Sequence, residues 1–280
     1  MNFKFPLTIA LATLISGTGM AQPERPAGYL APGEFDVVPV LENAPQPGEA
    51  RYEADRAIFR ETRKLVDTPR YKLATSDAEG SAAAMFRKFS CAAGIALTQD
   101  KAPGLYRLLQ RVSADTGGQT GRAKDFFKRE RPYVIDQGEI CQSQEQLLDR
   151  RNNRASYDYP SGHTTHGWTW ALVLASVMPD RAQQILQRGR AYGESRYICG
   201  AHNLSAVEAG MLSASATMTV VQTKAAYQDD VKAARAELEM LRASGSASEG
   251  ADCATENKLV MQGAGAVPTS GENALAQSTQ

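Results

Sequence analysis

Three histidines occur in the 280 residues, His163, His166 and His202, and two of them stand in surroundings suited to phosphoryl chemistry. His163 ends the run Pro160-Ser161-Gly162-His163, immediately ahead of a long apolar stretch. Pro, Ser and Gly at a helix start present backbone N–H groups and a hydroxyl, and the helix dipole adds positive potential there. Together these suit an oxyanion such as phosphate. His202 follows Ser195-Arg196 with five residues between the Arg and the His, and upstream six residues separate Lys124 from Arg131-Pro132. Each piece alone is common: two cations on a helix usually form a solvated face, and a Pro-Ser-Gly run is usually a turn with an N-cap. Together, three cations, a helix N-terminus and two histidines are the parts needed to hold a trigonal-bipyramidal phosphoryl group and transfer it. A metal site built from His163, His166 and His202 is the competing reading. The nearby cations would repel a divalent ion and welcome an anion, so neither a metal nor a cofactor is expected. His166 is read as pocket lining or core.

Helices must position these groups. Residues 162–178 are apolar nearly all round, which marks a helix buried in the core and closed by Pro179. Met85, Phe89, Ala92, Ala93 and Leu97 recur at the spacing of one helix face, and Leu105, Leu108, Leu109 and Val112 continue the pattern after Pro103. Further helices are expected from about Arg181 to Tyr197, over the small residues between Ala206 and Val221, and from roughly Asp229 to Arg242 on the surface. Alternating strand patterns are scarce. The expected fold is all-α, a single-domain helical bundle with a buried central helix.

The ordered pattern Lys124/Arg131-Pro132, Pro160 to His163, Ser195-Arg196/His202 resembles the signature of the phosphatidic acid phosphatase type 2 superfamily, which also includes vanadium haloperoxidases. More closely, "FRKFSCAAG", "YPSGHTTHGWTWALVLASVMPD" and "GESRYICGAHNLSAVEAG" resemble the class A bacterial non-specific acid phosphatases. The resemblance spans roughly residues 50–242. It implies His202 as a nucleophile that forms a phosphohistidine, and His163 as the acid for the leaving alcohol and then the base for water. It further implies that Lys124, Arg131 and Arg196 neutralise the phosphate oxygens, with Ser161 and the Gly162 N–H donating hydrogen bonds.

Two positions depart from that pattern. Members of the family usually carry an aspartate four residues after the nucleophile, which accepts the second imidazole N–H and fixes the tautomer. Here that position is Ala206. Glu208 would point away from the shared helix face, which leaves Ser205 as a weaker acceptor. Asn203 stands where class A enzymes commonly have Trp. The reading preferred with Ala206 is a slower phosphatase acting on soluble phosphate monoesters, a catalytically weak or inactive phosphate-binding relative is the alternative, and Ala206→Asp is the substitution that separates them. A vanadate-dependent haloperoxidase is a third reading, since vanadate mimics the phosphoryl transition state.

With 31 Lys+Arg against 31 Asp+Glu, the chain offers neither the basic footprint of a nucleic-acid binder nor a basic face for a membrane. The expected partners are small phosphorylated substrates and a second copy of the chain. Residues 1–21 read as a secretory signal: Lys4, an apolar run from Phe5 to Ile15, then Gly19 and Ala21 ahead of a cut before Gln22. Export places the protein in the periplasm or medium, where the four cysteines would pair. Three pairings are open, and Cys91–Cys141 with Cys199–Cys253 is the one preferred here. Residues 22–50 read as a Pro/Gly-rich arm lying over a helical domain at 51–243, and 244–280 as a flexible tail.

Overall fold

The computed structural model describes residues 26–149, 154–245 and 253–262; the expected signal segment and its cut lie outside them. Along the described residues run the helices α1 (Ala50–Arg63), α2 (Pro69–Asp77), α3 (Ala82–Lys88), α4 (Ser90–Ala93), α5 (Pro103–Phe127), α6 (Pro132–Ile135), α7 (Gly162–Val177), α8 (Ala182–Ile198), α9 (Leu204–Val221), α10 (Ala225–Ala243) and α11 (Cys253–Gln262). Strand structure among them is confined to one antiparallel pairing of Leu148–Asp149 with Arg154–Ala155. The fold is all-α, as expected.

α7 is the buried central helix, and it packs against α8, α9 and α5. Its apolar residues Trp170, Val173, Leu174 and Val177 join Phe86, Leu105, Leu108, Leu109, Val112 and Met218 in one core. Trp170 meets Phe86 edge to face with ring centroids 5.9 Å apart, and its indole N–H donates to Ser113 Oγ at 2.7 Å, so the one polar atom of the ring is satisfied. α9 reaches α7 so closely that a Cβ on Gly210 would stand 2.8 Å from the Ser161 carbonyl oxygen, a contact only glycine permits. α9 is long and apolar enough by length and composition to cross a membrane, and 56% of it is buried among the other helices.

The N-terminal arm lies along α5. Tyr29 and Leu30 N–H donate to the Asp115 carboxylate at 2.8 and 3.1 Å, while Gln119 accepts from Val37 N at 3.0 Å and donates to Phe35 O at 2.9 Å. Main-chain groups of a segment without regular structure are thereby paired.

Three expectations need correction. The helix face read across residues 85–97 is split: α3 ends at Lys88, α4 ends at Gly94 in the left-handed region (φ 73°), and Leu97 lies beyond, with its N–H held by Ser90 Oγ at 3.0 Å. The disulfides are Cys91–Cys253 and Cys141–Cys199. Cys141 N–H donates to Cys199 O at 3.0 Å, so those two segments lie side by side, an adjacency that spacing along the chain does not encode. Within the expected flexible tail, residues 253–262 form α11. Glu256 there accepts from Arg188 Nε at 3.0 Å, Val260 O accepts from Arg190 Nη2 at 3.0 Å, and Cys253 is bonded to Cys91.

Candidate active site

The site forms where α5 ends, α7 begins and the α8–α9 turn passes between them. Lys124 sits in the last turn of α5. The chain then turns through Lys128 in the left-handed region (φ 50°), so Arg131 is not on that helix but is the extended N-cap residue of α6. Ser161 caps α7, its hydroxyl accepting from Thr164 N at 3.4 Å and Thr164 Oγ1 at 2.9 Å, which leaves its own proton to donate elsewhere. At Gly162 a Cβ would meet only Thr120 and Lys124 side chains at 3.7 and 3.9 Å, so packing does not require glycine; the position faces Lys124.

Arg196 and His202 flank the tight turn after α8. Ser195, the neighbour of Arg196, is anchored from below: its hydroxyl donates to Asp77 Oδ2 at 2.7 Å and accepts from Arg70 Nη1 at 3.0 Å, and Asp77 is gripped by both terminal nitrogens of Arg188 at 2.6 and 3.2 Å. Arg196 is fully buried. Its Nη2 donates to Gln142 Oε1 at 2.5 Å, while Nε and Nη1 are buried with no hydrogen-bond partner among the described residues. Gln142 adjoins the Cys141–Cys199 disulfide, which ties that loop to the turn. Arg131 donates from Nε to Ser156 O at 2.6 Å and from Nη1 to Ala201 O at 2.7 Å, and the same Nη1 stands 3.2 Å from His202 Nε2.

His163 lies at the first turn of α7 with Nε2 3.2 Å from Ala78 O, its ring stacked on Tyr192 at a centroid distance of 6.4 Å. Nδ1 has no hydrogen bond among the described residues. His166, one turn further, lines a cavity of about 400 Å³ with Met85, Gln110, Ser113 and Trp170, in keeping with its reading as pocket lining. The residues named from sequence as Lys124, Arg131, Ser161, Gly162, His163, Arg196 and His202 are thus brought together.

The acceptor for His202 is not where the sequence pattern placed it. Ala206 lies in an apolar cluster with Val37, Leu41, Ala44, Ala123 and Tyr159. Ser205 turns away, its hydroxyl engaged with Asp55 Oδ2 at 2.5 Å and Arg129 Nη1 at 2.6 Å. Glu208 pairs with Arg51 at the surface, as its helix register suggested. Instead, Asp158 Oδ1 stands 2.9 Å from His202 Nδ1. The signal was present in the sequence as a carboxylate two residues ahead of Pro160, but nothing in the spacing connects it with position 202.

Charge density at the site runs strongly positive. Burial, then Arg131 and Arg196, push the Lys124 ammonium well below its usual range despite Asp158. Burial and Arg131 bring Arg196 down to about 10. Burial followed by Arg131, Lys124 and Arg196 pushes His202 well below the usual imidazole value, with Asp158 opposing. Burial followed by Arg196, His202 and His166 does the same to His163. Each depression would be relieved by an anion among these groups.

A stability prediction arises here. Unfolded imidazoles take up a proton below about pH 6.5, whereas His163 and His202 in the fold resist doing so. The unfolded state therefore binds more protons, and stability is lost as pH falls from there toward the depressed folded values. Bound phosphate favours the protonated forms. Saturating phosphate should accordingly raise Tm more at about pH 5 than at about pH 8 in thermal scans, and an equal rise at both would contradict the assignment.

Residues 110–229 match the PAP2 superfamily. The chain is 37% identical over 251 residues to an acid phosphatase of Zymomonas mobilis subsp. mobilis, covering 86% of this chain and 92% of that one. It is 33% identical to non-specific acid phosphatases of Providencia stuartii (74% of this chain, 83% of that one) and Salmonella typhimurium (69% and 77%). The chain belongs to the PAP2 superfamily, as one of its acid phosphatases. Its two disulfides and these relatives fit a protein that resides outside the cytoplasm.

Proposed function

We propose that this acid phosphatase hydrolyses soluble phosphate monoesters through a phosphohistidine on His202, in the periplasm or the medium after removal of residues 1–21. The observation that carries the reading is Arg196, a fully buried guanidinium whose Nε and Nη1 have no hydrogen-bond partner among the described residues, beside two other cations and an imidazole. A buried cation with free donors is costly unless an anion completes it, and a phosphate group supplies both charge and acceptors.

Arg196 takes one phosphate oxygen, and Lys124 and Arg131 take the others, aided by the Ser161 hydroxyl and the Gly162 N–H at the start of α7. His202 Nε2 attacks phosphorus in line, the ester P–O bond breaks, and the leaving alkoxide takes a proton from His163. That proton is held at Nδ1, the nitrogen not engaged with Ala78. Water then enters where the alcohol left. His163 Nδ1, now unprotonated, takes its proton as oxygen attacks phosphorus, and the P–N bond breaks to return His202 and inorganic phosphate. The cations supply the charge stabilisation, so turnover of p-nitrophenyl phosphate should persist undiminished in excess EDTA. Loss of activity on chelation, restored by a divalent ion, would overturn this chemistry.

A further inference from the structure

We infer that Asp158 is the positioning carboxylate of the nucleophile, installed from the segment before Pro160 in place of the absent one at position 206, and that Asn203 is the second half of this device. The inference rests on His202 acting as nucleophile. It accounts at once for both departures from the family pattern, which otherwise look unrelated.

Asp158 is fully buried and held at its main chain: its N–H donates to Arg129 O at 2.8 Å, and its carbonyl accepts from Lys124 Nζ at 3.4 Å. Its Oδ1 faces His202 Nδ1 at 2.9 Å and accepts from Asn203 N at 3.2 Å. Its Oδ2 accepts from Asn203 Nδ2 at 2.7 Å and lies 3.6 Å from Arg129 Nη1. Asn203 is itself fixed, because its Oδ1 accepts from Arg56 Nη2. A carboxamide at 203 therefore both accepts from Arg56 and donates to Asp158, whereas an indole can only donate.

The two sides of the His202 ring set its tautomer. Nδ1 meets Asp158 Oδ1, an oxygen that already accepts from Asn203 N, and Nε2 meets Arg131, which can only donate. The proton therefore resides on Nδ1 and the lone pair on Nε2, where attack on phosphorus requires it. Burial holds the Asp158 carboxyl above its usual range on balance, with Arg129, the Asn203 amide, Arg131 and Lys124 opposing. Beyond this shell, Arg129 is shared with Asp55 at 2.8 Å, and Arg56 pairs with Asp136 at 3.0 Å. At position 206 a carboxylate would be buried against the apolar side chains of Val37, Leu41 and Tyr159.

Asp158→Asn is the discriminating variant. Its amide presents N–H to Nδ1 in one orientation and a weaker acceptor in the other, at nearly unchanged volume. We expect kcat for p-nitrophenyl phosphate to fall by about 10²–10⁴, as when a triad loses its orienting carboxylate, with inhibition by inorganic phosphate changed less than about threefold. With only three histidines in the chain, the imidazole ¹⁵N spectrum can be assigned, and the protonated Nδ1 of His202 seen in the wild type should be lost in the variant. Ala206→Asp, by the same reasoning, should lower activity. A kcat within about threefold of wild type for Asp158→Asn overturns the inference, as does a parallel loss of phosphate affinity, which marks a merely structural role. A tenfold rise on Ala206→Asp overturns it too, because it shows that the nucleophile lacked its carboxylate. His202→Ala run alongside separates the two levels: an active His202→Ala sinks the nucleophile assignment itself, and an inactive one beside an active Asp158→Asn sinks only this inference.

Discussion

Replacing His202 with alanine is expected to lower kcat for phosphate monoesters by about 10⁴–10⁶, the range found when a covalent nucleophile is removed and the surrounding charge stabilisation is left in place. The residual rate comes from Lys124, Arg131 and Arg196, which still gather the phosphate, so inorganic phosphate should still bind and raise Tm. His202 is 2% exposed and stands between Asp158 at 2.9 Å and Arg131 at 3.2 Å. Phosphohistidine survives alkali and is hydrolysed by acid, so an alkaline quench of the wild type during turnover should trap label on one histidine. The variant should carry none. Label persisting in His202→Ala, or turnover within tenfold of wild type, would move the nucleophile elsewhere.

His163→Ala has the second largest effect, and its pattern is more informative than its size. Loss of a general acid typically costs about 10²–10⁴, and that full loss is expected for alkyl phosphates, whose leaving alkoxide needs a proton. p-Nitrophenolate leaves without one, so phosphorylation of His202 should survive while attack by water, which needs His163 as base, stays slow. A burst of nitrophenolate followed by slow turnover, with phosphoenzyme accumulating, is the expected trace. Equal losses for both esters with no burst would remove His163 from proton transfer. The pH dependence follows in sign. Burial, Arg196, His202 and His166 hold the His163 pKa low, so the acid form is scarce at neutral pH and returns as pH falls or as a dianionic ester binds. In the wild type, kcat/KM for an alkyl ester should therefore decline with rising pH more steeply than for the nitrophenyl ester.

Much of the active site can be read directly from the chain. The proposed residues Lys124, Arg131, Ser161, Gly162, His163, Arg196 and His202 are legible because phosphoryl transfer demands those residue types and because each pair or run sits on a short continuous stretch, although the turn at Lys128 that takes Arg131 off the helix of Lys124 is not encoded in their spacing. Pro160-Ser161-Gly162 ahead of an apolar run is such a stretch: the cap, the free N–H groups and the burial of α7 all follow from adjacent residues. The long helices α5, α7, α8 and α9 were legible for the same local reason. Where the periodic pattern crossed Phe89 and Gly94 it misled, since apolar residues at helical spacing also line a core when the backbone between them turns.

The sequence by itself thus determined the fold class and nominated the cations and the two histidines of the proposed phosphate site. Only the tertiary structure decided what holds His202 and which cysteines meet. Asp158 lies 44 residues from His202, and Cys91 lies 162 from Cys253. A carboxylate orients an imidazole by standing within 3 Å of Nδ1, whichever segment delivers it, so the chemistry requires a position in space and leaves the position in sequence free. Ala206 marked one route as closed, and the packing of the segment before Pro160 against the α8–α9 turn is what opened the other.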